Sequence, residues 1–301
     1  FTTAEINNIT SSQISCISTD EIIILTTSQI IAFNPQIISA ITTTGISVLL
    51  TNQLISFTSS EIDNLSSSQI PYISSTVIPL LTTLQISAIN PNTIGNLRTS
   101  EIILLTTPQI FALTQNQINN LSGEQISNFG INILTTLQIS ILNPIILKNL
   151  STNVISSLFS QQVRALTSTG IKILSTAQMI SLTTLGINSL LSDQIQHIST
   201  DKITYFTTLQ ISAFNPNAIP GFTSIQIVVL STSQISSLIS SEINSLTSYQ
   251  IGYLSTDEIF ILTTLQISAI NPNAISGLSF ESIITLTTSQ ISAFTIYEIN
   301  S

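Results

Sequence analysis

Residues 254–277 read LSTDEIFI-LTTLQISA-INPNAISG, three consecutive octapeptides that share one pattern. Each begins with Leu or Ile, has Ser, Thr or Asn at its second position and has Ile at its sixth. Cut into eights from Phe1, the chain keeps this register for sixteen octads, and after the five-residue unit FGINI (129–133) it continues from Leu134 for twenty-one more. We therefore interpret residues 1–301 as a single octapeptide-repeat array with one register slip, a segment of a longer chain or polymer.

Two columns of the octad are always apolar. Position 1 is Leu, Ile or Phe and position 6 is Ile, Leu, Val or Met in all thirty-seven full octads. Because an octad is too short to bury these side chains by itself, we expect neighbouring octads to stack them into one spine. Representative spine residues are Leu134, Ile139, Phe206, Ile211, Leu262 and Ile267.

Polar residues mark the start of each octad as a helix N-terminus. Position 2 is Ser, Thr or Asn in thirty-two octads, and position 5 is Gln or Glu in twenty-five, which is the S/T-x-x-E/Q spacing of a capping box. In this register positions 1 and 6 are N′ and N4, the pair that forms a hydrophobic staple. The exceptions at position 2 each have Ser or Thr next to them at position 3: Leu50, Arg98, Phe159, Leu191 and Ile239.

Five octads carry Asn-Pro at positions 2 and 3 and lack Gln or Glu at position 5. Proline suits the first helical position because its missing N–H would have no partner there. We predict that the asparagines are structural caps: Asn34, Asn90, Asn143, Asn215 and Asn271. Successive caps are separated by seven octads, by seven units that include FGINI, by nine octads and again by seven. This longer period of about seven octads is either a superhelical or assembly repeat, or the relic of a segmental duplication.

These patterns predict an all-α repeat solenoid, a superhelical array with one very short helix per octapeptide. The alternative is a β-solenoid, which the abundant Ile and Thr favour. Against the alternative, apolar spacings of five and three would place successive core residues on opposite faces of a strand. Nine glycines are also too few to supply a turn in every octad.

Composition argues against two classes of protein, those that bind nucleic acid and those that cross a membrane through helices. Only 6% of the residues are charged, against roughly 25% in ordinary soluble domains. The net charge of -9 gives no basic surface for nucleic acid. Apolar runs such as Ile22 to Leu25 are far shorter than the roughly 18 residues of a membrane-spanning helix. A single cysteine, Cys16, excludes an internal disulfide framework.

Residues that carry catalysis are scarce. His197 is the only histidine, so no catalytic triad can be assembled. The pairs Asp20/Glu21 and Asp257/Glu258 are the acidic clusters that could attract a divalent cation, but carboxylates in a first helical turn are also favoured by the helix dipole. We therefore expect no enzyme activity, no cofactor and no metal site. The N-x-S/T patterns at Asn8, Asn64, Asn120 and Asn149 match glycosylation acceptors, but they arise from the octad itself.

The repeat LTTSQISA, with variants LSTDEIFI and LTTPQIFA, resembles the tandem octapeptide stretches of large bacterial secreted or surface proteins. The resemblance implies an extracellular or cell-surface protein with a fibre-forming or adhesive role. Because the terminal octads FTTAEINN and FTIYEINS are no more polar than the others, we expect self-association into a homopolymer. The alternative is a surface adhesin or ligand-binding solenoid with an unknown ligand, but Tyr72, Tyr205, Tyr249 and Tyr253 are scattered in the sequence.

Overall fold

The computed structural model describes residues 1–294, so the last octad lies outside the described residues apart from Phe294. About 63% of residues 1–294 are helical, in short segments at regular spacing, and these residues contain no strand. The prediction of an all-α array of very short helices is therefore confirmed, and the β-solenoid alternative is wrong. The chain forms two compact units, Phe1–Leu142 and Asn143–Ser301.

In the first unit the α-helices span Thr3–Asn7, Ser11–Ile14, Thr19–Ile23, Thr27–Ile30, Thr43–Val48, Thr51–Ile55, Ser59–Asp63, Thr83–Ala88, Pro91–Ile94, Thr99–Ile102, Thr107–Phe111, Gln115–Asn120, Gly123–Phe129 and Thr136–Ser140. The 3₁₀ segments of this unit are Pro35–Ala40, Ile70–Tyr72, Ile78–Leu80 and Ile131–Ile133. Helices this short are unstable in isolation, so their stability must come from packing between octads.

In the second unit the α-helices span Pro144–Asn149, Thr152–Ser156, Ser160–Ala165, Ser168–Ile173, Thr176–Ile180, Thr184–Asn188, Ser192–Gln196, Thr200–Ile203, Thr208–Ile211, Ser224–Val228, Thr232–Ser236, Ser240–Asn244, Ser248–Ile251, Thr256–Phe260, Thr264–Ile267, Phe280–Thr285 and Thr288–Ala293. Its 3₁₀ segments are Pro216–Gly221 and Pro272–Gly277.

The helices begin at position 3 of the octad because position 2 caps them. In the octad that starts at Leu81, the Thr82 hydroxyl accepts a hydrogen bond from the Gln85 N–H (3.2 Å), and Gln85 Oε1 accepts from the Thr82 N–H (2.8 Å). Where position 2 is Leu50, the N-cap stays at that residue without a side-chain bond. The second half of the box persists there, since Gln53 Oε1 accepts from the Leu50 N–H (2.7 Å).

Each unit is a solenoid whose coil contains between three and four octads. Helix Thr83–Ala88 packs on Ser59–Asp63 and on Thr107–Phe111, which lie three octads before and after it. In the second unit, Asn188 Nδ2 donates to the Ala213 carbonyl, 25 residues later. Because the inter-helix contacts join octads about one coil apart, the core is a spine that runs from coil to coil.

The two apolar columns form that spine. Position 6 is buried from Ile6 to Ile267, and position 1 is buried from Leu25 to Ile270. The spine residues singled out above are all buried: Leu134, Ile139, Phe206, Ile211, Leu262 and Ile267. Consecutive position 1 residues also touch along the chain, because the rings of Phe206, Phe214 and Phe222 pack edge to face with centroids 5.8 and 5.0 Å apart.

Glutamine at position 5 joins each coil to the preceding one. While Gln53 Oε1 caps its own helix, Nε2 donates to the backbone carbonyls of Ile22 (2.9 Å) and Leu25 (2.7 Å), 31 and 28 residues earlier. The same donation is made by Gln69, Gln85, Gln109, Gln117, Gln125, Gln138, Gln178, Gln194, Gln210, Gln226, Gln234, Gln250, Gln266 and Gln290. Lys202 also occupies this column, and its Nζ donates to the Lys172 carbonyl (2.7 Å).

The five residues FGINI (129–133) occupy the structural position of one full octad in the first compact unit. Phe129 and Ile131 are buried like positions 1 and 6, and Gly130 between them has φ 87°, which favours glycine. Gln138 therefore reaches the Ile110 and Leu113 carbonyls at separations of 28 and 25 residues, three fewer than Gln53 uses. Since the unit is three residues shorter than an octad, the coil keeps its register.

Candidate functional site

A neutral groove in the second unit has a volume of about 530 Å³. Its walls are the Asn-Pro segments Pro216–Gly221 and Pro272–Gly277, and residues 244–248 of the intervening coil lie between them. The seven-octad spacing of Asn215 and Asn271 thus corresponds to two coils, which puts both segments on one side of this unit. The lining is made of Pro, Asn, Ser, Thr, Leu and Ala and carries no charged side chain.

Asparagine caps shape the walls of the groove. Asn271 Oδ1 accepts from the Asn273 N–H (3.0 Å), and Asn215 Oδ1 accepts from the Asn217 N–H (2.9 Å). These bonds span two residues instead of the three of a Ser or Thr cap, and they form an Asx turn with the proline at its centre. The other predicted caps accept in the same way, Asn34 from Gln36, Asn90 from Asn92 and Asn143 from Ile145.

Glycine brings the two coils together at the end of each wall. A Cβ on Gly277 would overlap the carbonyl oxygen of Ser248, and one on Gly221 would overlap that of Ser192. Both glycines end the Asn-Pro segments, and their contact partners lie one coil earlier in the chain. The backbones therefore approach more closely than any residue with a side chain would permit.

Tyr249 and Tyr253 lie beside the groove. Both side chains are exposed, with ring centroids 4.9 Å apart and hydroxyl oxygens 3.1 Å apart. A smaller depression of about 320 Å³, which shares Ser248 with the groove, is lined by both tyrosines and by Gly277. The hydrogen bond between the hydroxyls lowers the pKa of Tyr249 and raises that of Tyr253.

This pair was missed in the sequence, although the spacing of four residues on a predicted helix was the available signal. Tyr72 and Tyr205 are exposed and lie outside the groove lining.

The other candidate residues form hydrogen bonds within their own helices or helix caps. His197 Nδ1 lies 2.7 Å from the Asp193 carbonyl oxygen of its own helix. Glu21 accepts from the Ser18 N–H (2.9 Å) and hydroxyl, and these bonds lower the pKa of Glu21. Glu258 accepts from the Ser255 N–H (2.7 Å) in the same way. Among residues 1–294, no group of three or more His, Cys, Asp or Glu side chains could hold a metal ion.

Further surface features include Cys16, which is exposed. The amides of Asn8, Asn64 and Asn120 donate to the carbonyl four residues earlier, and Asn149 is exposed. In the part of the chain that the structure describes, no helix has the length and hydropathy needed to cross a bilayer. No protein-family model matches this chain, and no curated protein is significantly similar to it.

Proposed function

We propose that this chain is a structural protein that forms an extended extracellular fibre or filament by stacking octapeptide coils. The directional contact between coils carries the proposal. Each coil presents its position 5 glutamine donors and its position 1 side chains to the coil before it. It presents backbone carbonyls and its position 6 side chains to the coil after it. The resemblance of the repeat to bacterial secreted and surface octapeptide proteins supports a location outside the cell.

Burial at the two ends of the described chain supports this direction. In the first coil Ile6 and Ile14 are buried, while Phe1 is 68% exposed. In the last described coil Ile283 and Ile291 are 47% and 51% exposed, although position 6 is buried from Ile6 to Ile267. Column 6 is therefore covered by the following coil and column 1 by the preceding coil. The contact between successive coils therefore joins two unlike faces, and an array that grows through such heterologous contacts is open-ended.

The surface would oppose such stacking only weakly. Charged residues are 6% of the chain, so repulsion between copies is small. Apolar side chains also recur at position 4, just before Asn-Pro octads, where Leu84, Leu137, Leu209 and Leu265 are all strongly exposed. These side chains would give neighbouring filaments an apolar lateral contact.

Filament formation can be tested on the purified 301-residue chain by analytical ultracentrifugation and electron microscopy across a concentration series. We expect concentration-dependent large species and unbranched filaments. Ile283→Glu puts a charge on the exposed part of column 6 and should lower the sedimenting mass and the filament count. The matched control Ile284→Glu changes the neighbouring exposed residue on the same helix and should leave assembly unchanged. A dispersed folded monomer at high concentration would contradict the proposal.

A surface adhesin remains the second candidate, favoured by the groove and the tyrosine pair. The uncharged lining, the exposed asparagines and the tyrosine edges suit a neutral polyhydroxylated ligand, because amides and hydroxyls exchange hydrogen bonds with sugar hydroxyls and aromatic rings cover apolar sugar faces. We expect binding of neutral oligosaccharides to weaken at least about tenfold in Tyr249→Ala, and to be retained in Tyr205→Ala. Equal affinity in the wild type and Tyr249→Ala, measured by calorimetry, would remove the groove as the site.

A further inference from the structure

Two of the glutamates in the column that joins the coils have a buried carboxylate oxygen without a hydrogen-bond partner. Glu61 and Glu242 are both 0% exposed. One oxygen of each serves as the cap acceptor, since Oε2 of Glu61 accepts from the Thr58 N–H (2.6 Å) and Oε2 of Glu242 accepts from the Ile239 N–H (2.7 Å). The other oxygen, Oε1, is buried in both residues and has no hydrogen-bond partner.

The geometry of the neighbouring coils explains why Oε1 lacks a partner. At this place a glutamine has Nε2, which donates to carbonyls 31 and 28 residues earlier. By the same spacing, Glu61 faces the carbonyls of Ile30 and Phe33, and Glu242 faces those of Ile211 and Phe214. A carboxylate can only accept hydrogen bonds, so an ionised glutamate meets carbonyl oxygens with no donor between them. A protonated carboxyl has one O–H and can donate as glutamine does.

Lys202, Glu101, Glu5 and Glu21 lie in the same column and avoid this conflict. Lys202 supplies a donor from a different side chain, and burial lowers its pKa. Glu101 is also fully buried, but Arg98 at position 2 pairs with its Oε1 at 2.5 Å and compensates the charge. Glu5 and Glu21, in the first coil, are exposed and act as caps, and bonds from Thr2 and Ser18 lower their pKa. Glu61 and Glu242 have neither a compensating cation nor solvent.

We propose that Glu61 and Glu242 are acid-dependent contacts between coils: each donates a hydrogen bond to a carbonyl of the preceding coil when protonated, and loses it when ionised. Burial raises the pKa of Glu242 from 4.5 to about 7, against the opposing effect of the Ile239 bond, and burial also raises the pKa of Glu61. The helix of Glu61 packs on Pro35–Ala40 and Thr83–Ala88, and the helix of Glu242 packs on Pro216–Gly221 and Thr264–Ile267. None of these four segments carries a charged or titratable side chain. On the helices themselves only Asp63 is charged, and it is exposed.

The direction of the pH dependence follows from proton linkage. For Glu242, the folded state binds more protons than the unfolded state between about pH 4.5 and about pH 7. The stability of its coil is therefore highest below 4.5, falls as the pH rises through this window, and stays low above about 7. Acid tightens the contact and neutral pH loosens it, opposite to the behaviour of a glutamate whose folded pKa is lowered.

The test compares the wild type with Glu61→Gln/Glu242→Gln, which restores the usual residue of the column. We expect the midpoint of thermal unfolding of the double variant to exceed that of the wild type by about 2–4 °C or more at pH 8. The difference should shrink to near zero at pH 4. The control Glu21→Gln changes an exposed cap and should give a constant difference between pH 5 and 8. A difference for the double variant that does not change with pH would overturn the proposal.

A second measurement does not depend on unfolding. At pH 6 the infrared spectrum of the wild type should retain a protonated-carboxyl C=O band that disappears as the pH approaches 8. The band should be absent from Glu61→Gln/Glu242→Gln at pH 6 and present in Glu21→Gln. Absence of the band in the wild type at pH 6 would show that both glutamates are ionised and would also overturn the proposal.

Discussion

Glutamine at position 5 uses both ends of its amide, accepting from the N-cap N–H of its own helix and donating to the preceding coil. A capping box alone accepts Glu as readily as Gln. The column nevertheless contains eighteen Gln and seven Glu. Since an ionised carboxylate cannot also donate, the inter-coil bond accounts for this preference.

Removing one such amide should cost stability in proportion to the groups left without partners. Gln53→Met retains the volume but removes the amide that donates to the carbonyls of Ile22 and Leu25, and it leaves the Leu50 N–H without its side-chain acceptor. We expect a loss of about 1–3 kcal/mol in unfolding free energy, measured by urea denaturation. Gln13→Met, at an exposed cap in the first coil, should lose less than Gln53→Met. Equal losses would assign the glutamine only a capping role.

The spine residues provide a second test at the residue scale. Ile139 is buried in column 6, so Ile139→Asp removes a packed side chain and buries an unpaired charge. We expect a loss of about 3–5 kcal/mol or failure to fold. Leu137→Asp, two residues earlier on an exposed position of the same helix, should cost little because a carboxylate in the first turn is favoured by the helix dipole. The comparison is made by circular dichroism during urea denaturation.

At the scale of the helix, most of the structure could be predicted because the signals are local. The cap, the start of the helix and the two apolar columns all lie within one octad. Proline later in the octad changes the helix type: where Pro71 and Pro79 occupy position 7, the chain forms the 3₁₀ segments Ile70–Tyr72 and Ile78–Leu80. The Gln donation and the groove could not be derived, because they depend on which octads become neighbours from one coil to the next.

The close approach at the Asn-Pro segments gives a test at the same scale. Gly277→Ala would place its Cβ on the Ser248 carbonyl and force the coils apart. We expect a loss of about 1–3 kcal/mol, as in an overpacked core. At Gly186 the nearest atoms to a new Cβ are 3.4 Å away, in ordinary contact. Gly186→Ala should therefore be neutral or stabilising, because alanine favours the helix interior. Equal destabilisation of the two variants in thermal unfolding would contradict this interpretation.

At the scale of the molecule, coils rather than octads are the units that can be removed. Deleting residues 215–270 takes out seven octads, or two coils, and joins Phe214 to Asn271 in the natural order of an Asn-Pro octad. Because a repeat array is stabilised by nearest-neighbour contacts, we expect this variant to fold with an unchanged helical signal per residue in circular dichroism.

The matched control for this deletion removes residues 217–270 instead. It leaves a ten-residue unit in which Phe214 and Ile275 are seven residues apart instead of five. The two apolar columns lose their alignment at that point, so this variant should lose helical signal and unfold at lower temperature. If both deletions behaved alike, the octad register would not determine the packing of the coils.

The glutamine column also determines how this protein would age. Hydrolysis of a side-chain amide converts Gln to Glu, and amides are among the thermally labile groups of proteins. In a closed coil the amide is shielded from water, but a coil that opens briefly exposes it. After hydrolysis the residue is a glutamate, whose ionised carboxylate can only accept hydrogen bonds and faces carbonyl oxygens. At neutral pH the contact between coils is therefore weaker than before. Each such event makes the next opening more frequent, and chemical damage would spread from loosened coils to their neighbours.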